Sequence, residues 1–218
     1  MLEALNFICF IAASATATIL YVKSVSPAQL ERQKIKDTYQ RCASYRMWSM
    51  IAMVLALVFF ILCRSLPLSN ALAAPFQWPR WLSFVFSLLL TIPSLSLMIT
   101  GLQDLGSESY TPEKKNKLKT RGIYRRIRHP QAYEALLWPS IALGLHSPLL
   151  LALSVPWLLL EIIMVMAEET DLIVRFGEPY LKYRDKTGMF FPKGKLDLSF
   201  LETVKEYIDG LFISSDDE

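Results

Sequence analysis

The chain has 218 residues, of which 53% are hydrophobic and 20% charged, with a formal net charge of +3. This length suits one ordinary domain or one compact membrane bundle. The charges collect in blocks between long apolar runs, which argues against a soluble globule and for a polytopic membrane protein, and no nucleic-acid partner is expected of it.

In chain order, residues 4–22 and 47–63 carry no charge and are about long enough to cross a hydrocarbon core of roughly 30 Å. Residues 1–22 resemble a signal sequence only superficially, because Glu3 stands where a basic start is expected and the apolar run is long, so the segment is expected to be a membrane anchor. Residues 81–100 form a third apolar segment, interrupted by Pro93. The stretch 135–167 would span about 50 Å as one straight helix, which is too long for a single crossing. Gly144-Leu145-His146-Ser147-Pro148 reads as a tight turn within it, so two legs, about 131–146 and 148–167, are predicted as a hairpin with a short or tilted first leg. The fold class is therefore all-α, a polytopic integral membrane protein with about five transmembrane helices.

Lys and Arg placement orients the bundle. Lys23, Arg32, Lys34, Lys36, Arg41 and Arg46 fall in one loop, and Lys114, Lys115, Lys117, Lys119, Arg121, Arg125, Arg126 and Arg128 in another. The 64–80 connection holds only Arg64 and Arg80. The positive-inside rule then puts the N-terminus outside and the C-terminus in the cytoplasm. Cys9, Cys42 and Cys63 have no paired spacing and no nearby His cluster, so no metal site is expected. Cys9 and Cys63 read as small apolar packing residues.

Three parts are predicted: 1–100 as three membrane helices, 101–193 as a core with a membrane hairpin, and 194–218 as an extension. In the extension Phe200, Leu201, Val204, Tyr207, Ile208 and Leu211 recur at helical spacing, as in an amphipathic helix.

The chemistry concentrates at the two ends of the hairpin. Thr120 to Pro130 is a dense basic run, and the apolar stretch exits into Glu168-Glu169. A cationic, His-bearing approach and a doubly anionic exit suit a small zwitterionic or cationic ligand at the membrane surface. Pro130 is placed to begin a helix, with free N–H groups beside Arg125, Arg126 and Arg128, an arrangement suited to a carboxylate or phosphate. The competing reading is a basic anchor at lipid phosphates, and it is preferred for Lys114 to Lys119. Glu161 lies two turns before Glu168 on nearly the same helix face. An ionisable group inside a membrane segment costs about 2.5–3.5 kcal/mol on insertion scales. Glu161 is thus either a functional group or one half of an interhelical polar pair, and Glu134 faces the same region from the first leg. Tyr124, Tyr133, Trp138, Tyr180 and Tyr183 cluster around both polar ends and with carboxylates can hold a cation.

These residues resemble the isoprenylcysteine carboxyl methyltransferase family and its relatives, the membrane phospholipid methyltransferases. Gly122-Ile123-Tyr124, Arg128-His129-Pro130, Trp138, Glu168-Glu169 and Phe176-Gly177 through Tyr183 follow the family's pattern in order and nearly in spacing, over roughly residues 115–193. The chain departs at Ala132, where the family often has Tyr, and Trp138 falls one residue early. The resemblance implies a methyltransferase using S-adenosylmethionine, with a lipid-like or prenylated methyl acceptor that enters sideways from the bilayer. It implies that Arg128, His129 and Pro130 hold the cofactor carboxylate and that Glu168 or Glu169 meets its ammonium or ribose. It further implies that Gly122, Tyr124, Tyr133, Tyr180 and Tyr183 shape the cofactor pocket. Glu161 or Glu134 would orient the acceptor's nucleophile as the catalytic residue; a carboxylate acceptor needs no general base. Two rivals stand beside it. A sterol-reductase-like enzyme shares an Arg-His-Pro-type pattern but lacks the Glu-Glu pair, and a non-catalytic scaffold would only bind membrane lipid.

Overall fold

A computed structural model describes residues 1–69, 73–106 and 117–193. The sequence expectations for Lys114, Lys115 and the amphipathic extension lie outside those residues. Four helices carry the long apolar runs: α1 (Leu2–Ser24), α3 (Thr38–Leu62), α4 (Arg80–Leu105) and α6 (Pro148–Phe176). At 23 to 29 residues they measure roughly 35–44 Å, enough to cross a bilayer. Short helices α2 (Pro27–Arg32), α5 (Leu137–Gly144) and α7 (Glu178–Lys186) and two 3-10 segments, Gly122–Arg125 and Gln131–Leu136, complete the order. Among the described residues there is no strand, only a single parallel bridge between Ile127 and Gly188. The protein is an all-α polytopic membrane protein, as expected from the sequence.

The bundle is apolar outside and small or polar within. Ile8, Val54, Leu89 and Ile163 are exposed, whereas Ala17, Ser49, Ala52, Ala56 and Ser140 are buried between helices. Small residues let helix backbones approach where lipid removes the hydrophobic drive to associate. α1 packs along α3, and Ser49 Oγ donates to the Ala17 carbonyl at 2.8 Å across that contact. On the α4–α5 contact Ser140 hydrogen-bonds to Ser87 and Thr91. Cys63 does more than the expected packing, because its sulfur accepts from Asn6 Nδ2 at 3.2 Å.

The hairpin is present, and its first leg is short because it is composite. Gln131–Leu136 is 3-10 and Leu137–Gly144 is α, together about 24 Å long. Trp138 locks this leg into the apolar core, 4.9 Å from Phe60 and 4.0 Å from Trp157 between ring centroids. The turn is a Schellman cap: the Ser147 N–H donates to Ala142 and the His146 N–H to Leu143. His146 occupies its left-handed position, with φ of 55°, where glycine is usual. Its ring compensates by bonding Ser83 Oγ at 2.7 Å and the Phe76 carbonyl at 3.2 Å. That carbonyl can only accept, so Nε2 carries a proton. Ser147 then caps α6 by accepting from the Leu150 N–H, with Pro148 at the first helical position.

Candidate functional site

The approach to the hairpin differs in one respect from its predicted form. Pro130 precedes a six-residue 3-10 helix and begins no α-helix, so no helix-dipole anion site forms there. The N–H groups of Arg128 and His129 instead donate to the carbonyls of Gly188 and Met189, at 2.9 and 3.1 Å. The segment after α7 therefore runs against the Arg-His-Pro segment and holds it in place.

Two close backbone approaches set this segment on α4. Gly101 lies where a Cβ would come within 2.7 Å of the Pro130 ring. Gly122 has φ of +58°, and a Cβ there would collide with the Asp104 carboxylate, which accepts the Ile123 N–H at 2.7 Å. Tyr124 then donates from its hydroxyl to the Gly101 carbonyl at 3.2 Å, and Tyr183 donates to the Tyr124 carbonyl at 2.6 Å. Burial pushes both phenols well above their ordinary range, so both remain neutral donors.

An ion cluster occupies the end of α6. Arg128 Nε and Nη2 both reach Glu169 Oε1, at 2.7 and 2.6 Å, and His129 Nε2 reaches the same oxygen at 3.1 Å. His129 Nδ1 faces Glu168 Oε2 at 3.5 Å. Arg128 Nη1 also donates to the carbonyls of Thr187 and Arg184. Burial pulls the His129 imidazole down, but hydrogen bonds and charge from Glu168 and Glu169 together outweigh it and raise it to about 9. His129 is consequently a cation at neutral pH, and consecutive residues on α6 grip both of its nitrogens.

Beside this cluster opens a cavity of about 240 Å³ at the end of the bundle where α1, α4 and α6 terminate and α3 begins. Of the sequence-predicted residues, Tyr124, Arg128, His129, Pro130, Glu134, Glu161, Glu168, Tyr180 and Tyr183 line it. Glu169 bonds Arg128 and His129 in the wall behind. Gly122 and Tyr133 stand outside the lining. Gly122 seats against Asp104, and the Tyr133 hydroxyl donates to the Phe190 carbonyl at 2.8 Å, so both act on the shape of the wall. Trp138 belongs to the core.

The cavity contains both charge signs and unsatisfied polar atoms. Glu161 is 7% exposed, and its Oε2 has no hydrogen-bond partner. The buried amide nitrogen of Gln131, also in the lining, has none either. A buried unpartnered polar atom is costly, and at a cavity wall it is where a ligand group gains most.

Three contributors escaped sequence reasoning. Asp171, 1% exposed, reaches from α6 to accept the N–H groups of Ala28 and Gln29, at 2.9 and 3.3 Å. It caps α2 in place of Ser26, whose side chain makes no cap bond. Its signal was its position one turn after Glu168 on a similar face. Tyr21 and Arg46 bring α1 and α3 into the cavity, with the Arg46 guanidinium 5.8 Å from the Tyr21 ring centroid. Arg46 was legible only as one more member of a basic loop.

No protein-family model matches the chain, and no curated protein matches it.

Proposed function

We propose that the chain is an integral membrane methyltransferase that uses S-adenosylmethionine and acts on a lipid-like acceptor. In this reading it resembles the isoprenylcysteine carboxyl and phospholipid methyltransferases. The observation that carries the proposal is a cavity with both charge signs in its wall, at the polar end of an otherwise apolar bundle. The residues suit this cofactor. Lys117 and Arg46 supply positive charge for its carboxylate, Glu168 supplies negative charge for its ammonium, and the unpartnered Gln131 amide is a donor in reach of the same space. Tyr124, Tyr180 and Tyr183 offer aromatic surface for adenine. Arg128 is already engaged by Glu169 and two carbonyls, so its part is to position Glu169 and His129.

When bound, S-adenosylmethionine supplies an electrophilic methyl group. The protein then has to hold two reactants in line and exclude water. The apolar side chains of Met50, Met53, Leu102 and Leu105 in the same wall suit a lipid tail lying between α3 and α4. The cavity end is assigned to the cytoplasm because the Lys and Arg residues of the 23–46 and 117–130 segments gather there, against Arg64 and Arg80 at the other end.

Calorimetric titration of the purified protein with S-adenosylmethionine tests this reading. Saturable binding, displaced by the demethylated cofactor product, is expected. Absence of binding by both compounds would exclude a methyltransferase, and binding of a nicotinamide cofactor instead would favour the reductase-like alternative. Membranes incubated with methyl-labelled cofactor should then pass label into the lipid fraction.

A further inference from the structure

A second cavity, of about 440 Å³, lies at the same end of the bundle as a groove between α2, the start of α3 and the end of α6. Arg32 and Arg175 line it with Glu31 and Tyr39, and Val174 and Phe176 add apolar surface. Two guanidiniums against one carboxylate leave the groove with an excess of positive charge. The Tyr39 hydroxyl hydrogen-bonds to Glu31, so part of that carboxylate's accepting capacity is used within the wall. Arg175 stands over Phe176, with the guanidinium carbon 5.1 Å from the ring centroid. A ring face holds a guanidinium without using its N–H donors. The first N–H groups of α2 take no part, because Asp171 already accepts those of Ala28 and Gln29.

We infer that this groove is a binding site for a phosphate group, held between Arg32 and Arg175. Guanidiniums on two separate helices reach a bound group from different directions. That suits a tetrahedral phosphate, which offers several oxygens in space, better than a planar carboxylate. Lys34, Lys36 and Arg41, exposed on the connection between α2 and α3 and at the start of α3, raise the positive potential that draws an anion there. Arg175 lies eight residues past Ala167, where the apolar stretch ends, or about 12 Å along α6. The headgroup layer is roughly 5–8 Å deep, so an arginine side chain at this height reaches a lipid phosphate and the solution equally. The phosphate is therefore that of a lipid or of a soluble ester, and titration distinguishes the two.

This site is independent of the methyltransferase reading, but it shares a wall with the main cavity. Arg175 and Phe176 line both spaces. Ala28, in the groove, donates its N–H to Asp171, which lines the main cavity. A group bound between Arg32 on α2 and Arg175 on α6 bridges the two helices that Asp171 also joins. Its occupancy thus braces α2 on α6 and makes the groove an effector site for the cavity behind it.

The test uses the full chain in a non-ionic detergent, titrated by calorimetry at pH 7 with dioctanoyl phosphatidate, glycerol 3-phosphate, dioctanoylglycerol and octanoate and corrected against empty micelles. At least one of the two phosphate esters should bind saturably, one per chain, and at least tenfold more tightly than octanoate or dioctanoylglycerol. Tighter binding of phosphatidate supports the site with a lipid source; equal or tighter binding of glycerol 3-phosphate supports it with a soluble one. Arg32→Gln, at an exposed residue outside the main cavity, should lower the affinity at least tenfold, and Arg175→Gln gives the same readout from α6. Lys36→Gln removes an exposed charge outside the groove and should leave the affinity within twofold. An equal loss in Arg32→Gln and Lys36→Gln would reveal only a diffuse basic surface and overturn the site. Absence of binding by both esters, or wild-type affinity in both arginine variants, would overturn it as well. The bound ester should also slow amide exchange at Ala28 and Gln29; unchanged exchange at saturation would refute the bracing of α2.

Discussion

Arg128 and Glu169 are joined through two guanidinium nitrogens on one carboxylate oxygen, at 2.7 and 2.6 Å, with side chains 6% and 10% exposed. The same oxygen accepts His129 Nε2, so one buried acceptor serves three donors from two consecutive residues. Such a pair is far more sensitive to loss of one partner than to loss of both. Glu169→Gln should destabilise the protein by about 3–5 kcal/mol and weaken S-adenosylmethionine binding at least tenfold, since two buried cations lose their anchor. The Arg128→Met, Glu169→Met double variant should unfold at a higher temperature than the Glu169→Gln single variant. Equal thermal stability of the single variant and wild type would show that the pair carries no weight.

His129 makes part of the stability dependent on pH. Its pKa is raised to about 9 in the folded protein, above an unfolded value near 6.5. The stabilisation is therefore fully present below pH 6.5 and lost as pH rises through about 9. Its size is on the order of 3 kcal/mol. The thermal midpoint of the wild type should fall across that window, and His129→Ala should remove most of this slope. A wild-type midpoint flat from pH 6.5 to 9.5 would contradict the assignment.

Asp171 ties α2 to α6 through two backbone N–H groups. Asp171→Ala leaves both without this acceptor and should cost about 1–3 kcal/mol. Amide exchange at Ala28 and Gln29 should accelerate first. Asp171→Asn retains one acceptor oxygen and should recover most of the loss; an exchange pattern unchanged in the alanine variant would discount the cap.

Orientation is open to a direct measurement. With the three native cysteines replaced, Leu68→Cys should react with a membrane-impermeant thiol reagent from outside, because Leu68 is exposed at the sparsely charged end. Thr120→Cys, exposed at the basic end, should react only after the membrane is opened. The opposite pattern would invert the topology and place the cavity outside.

Much of the architecture was legible because hydropathy acts locally. Residues 4–22 and 81–100 lie within α1 and α4, residues 47–63 form the C-terminal part of α3 and its cap, and the Gly144 to Pro148 turn split the last apolar stretch as its composition required. Hydrocarbon thickness and backbone hydrogen bonding leave such runs few alternatives to helix. The residue types at the cavity were legible for a similar reason: charges, His and Tyr that flank apolar segments must lie at the polar ends of the bundle.

Which of those residues bond to one another was decided only by the tertiary structure. Arg128, expected to meet a ligand, meets Glu169 across 41 positions of chain, and Asp171 caps a helix 143 positions away. Tyr21 and Arg46 join the cavity because α1 and α3 pack against α6, a contact that no local pattern encodes. Glu161 looked equally suited to a polar pair or an active group until its surroundings were assembled and one oxygen proved to have no partner. Burial and charge pairing depend on distances between segments, and hydropathy along a chain contains none of those distances; the sequence alone therefore determined the bundle and its polar end, while the fold decided which charges are already satisfied and which remain for a ligand.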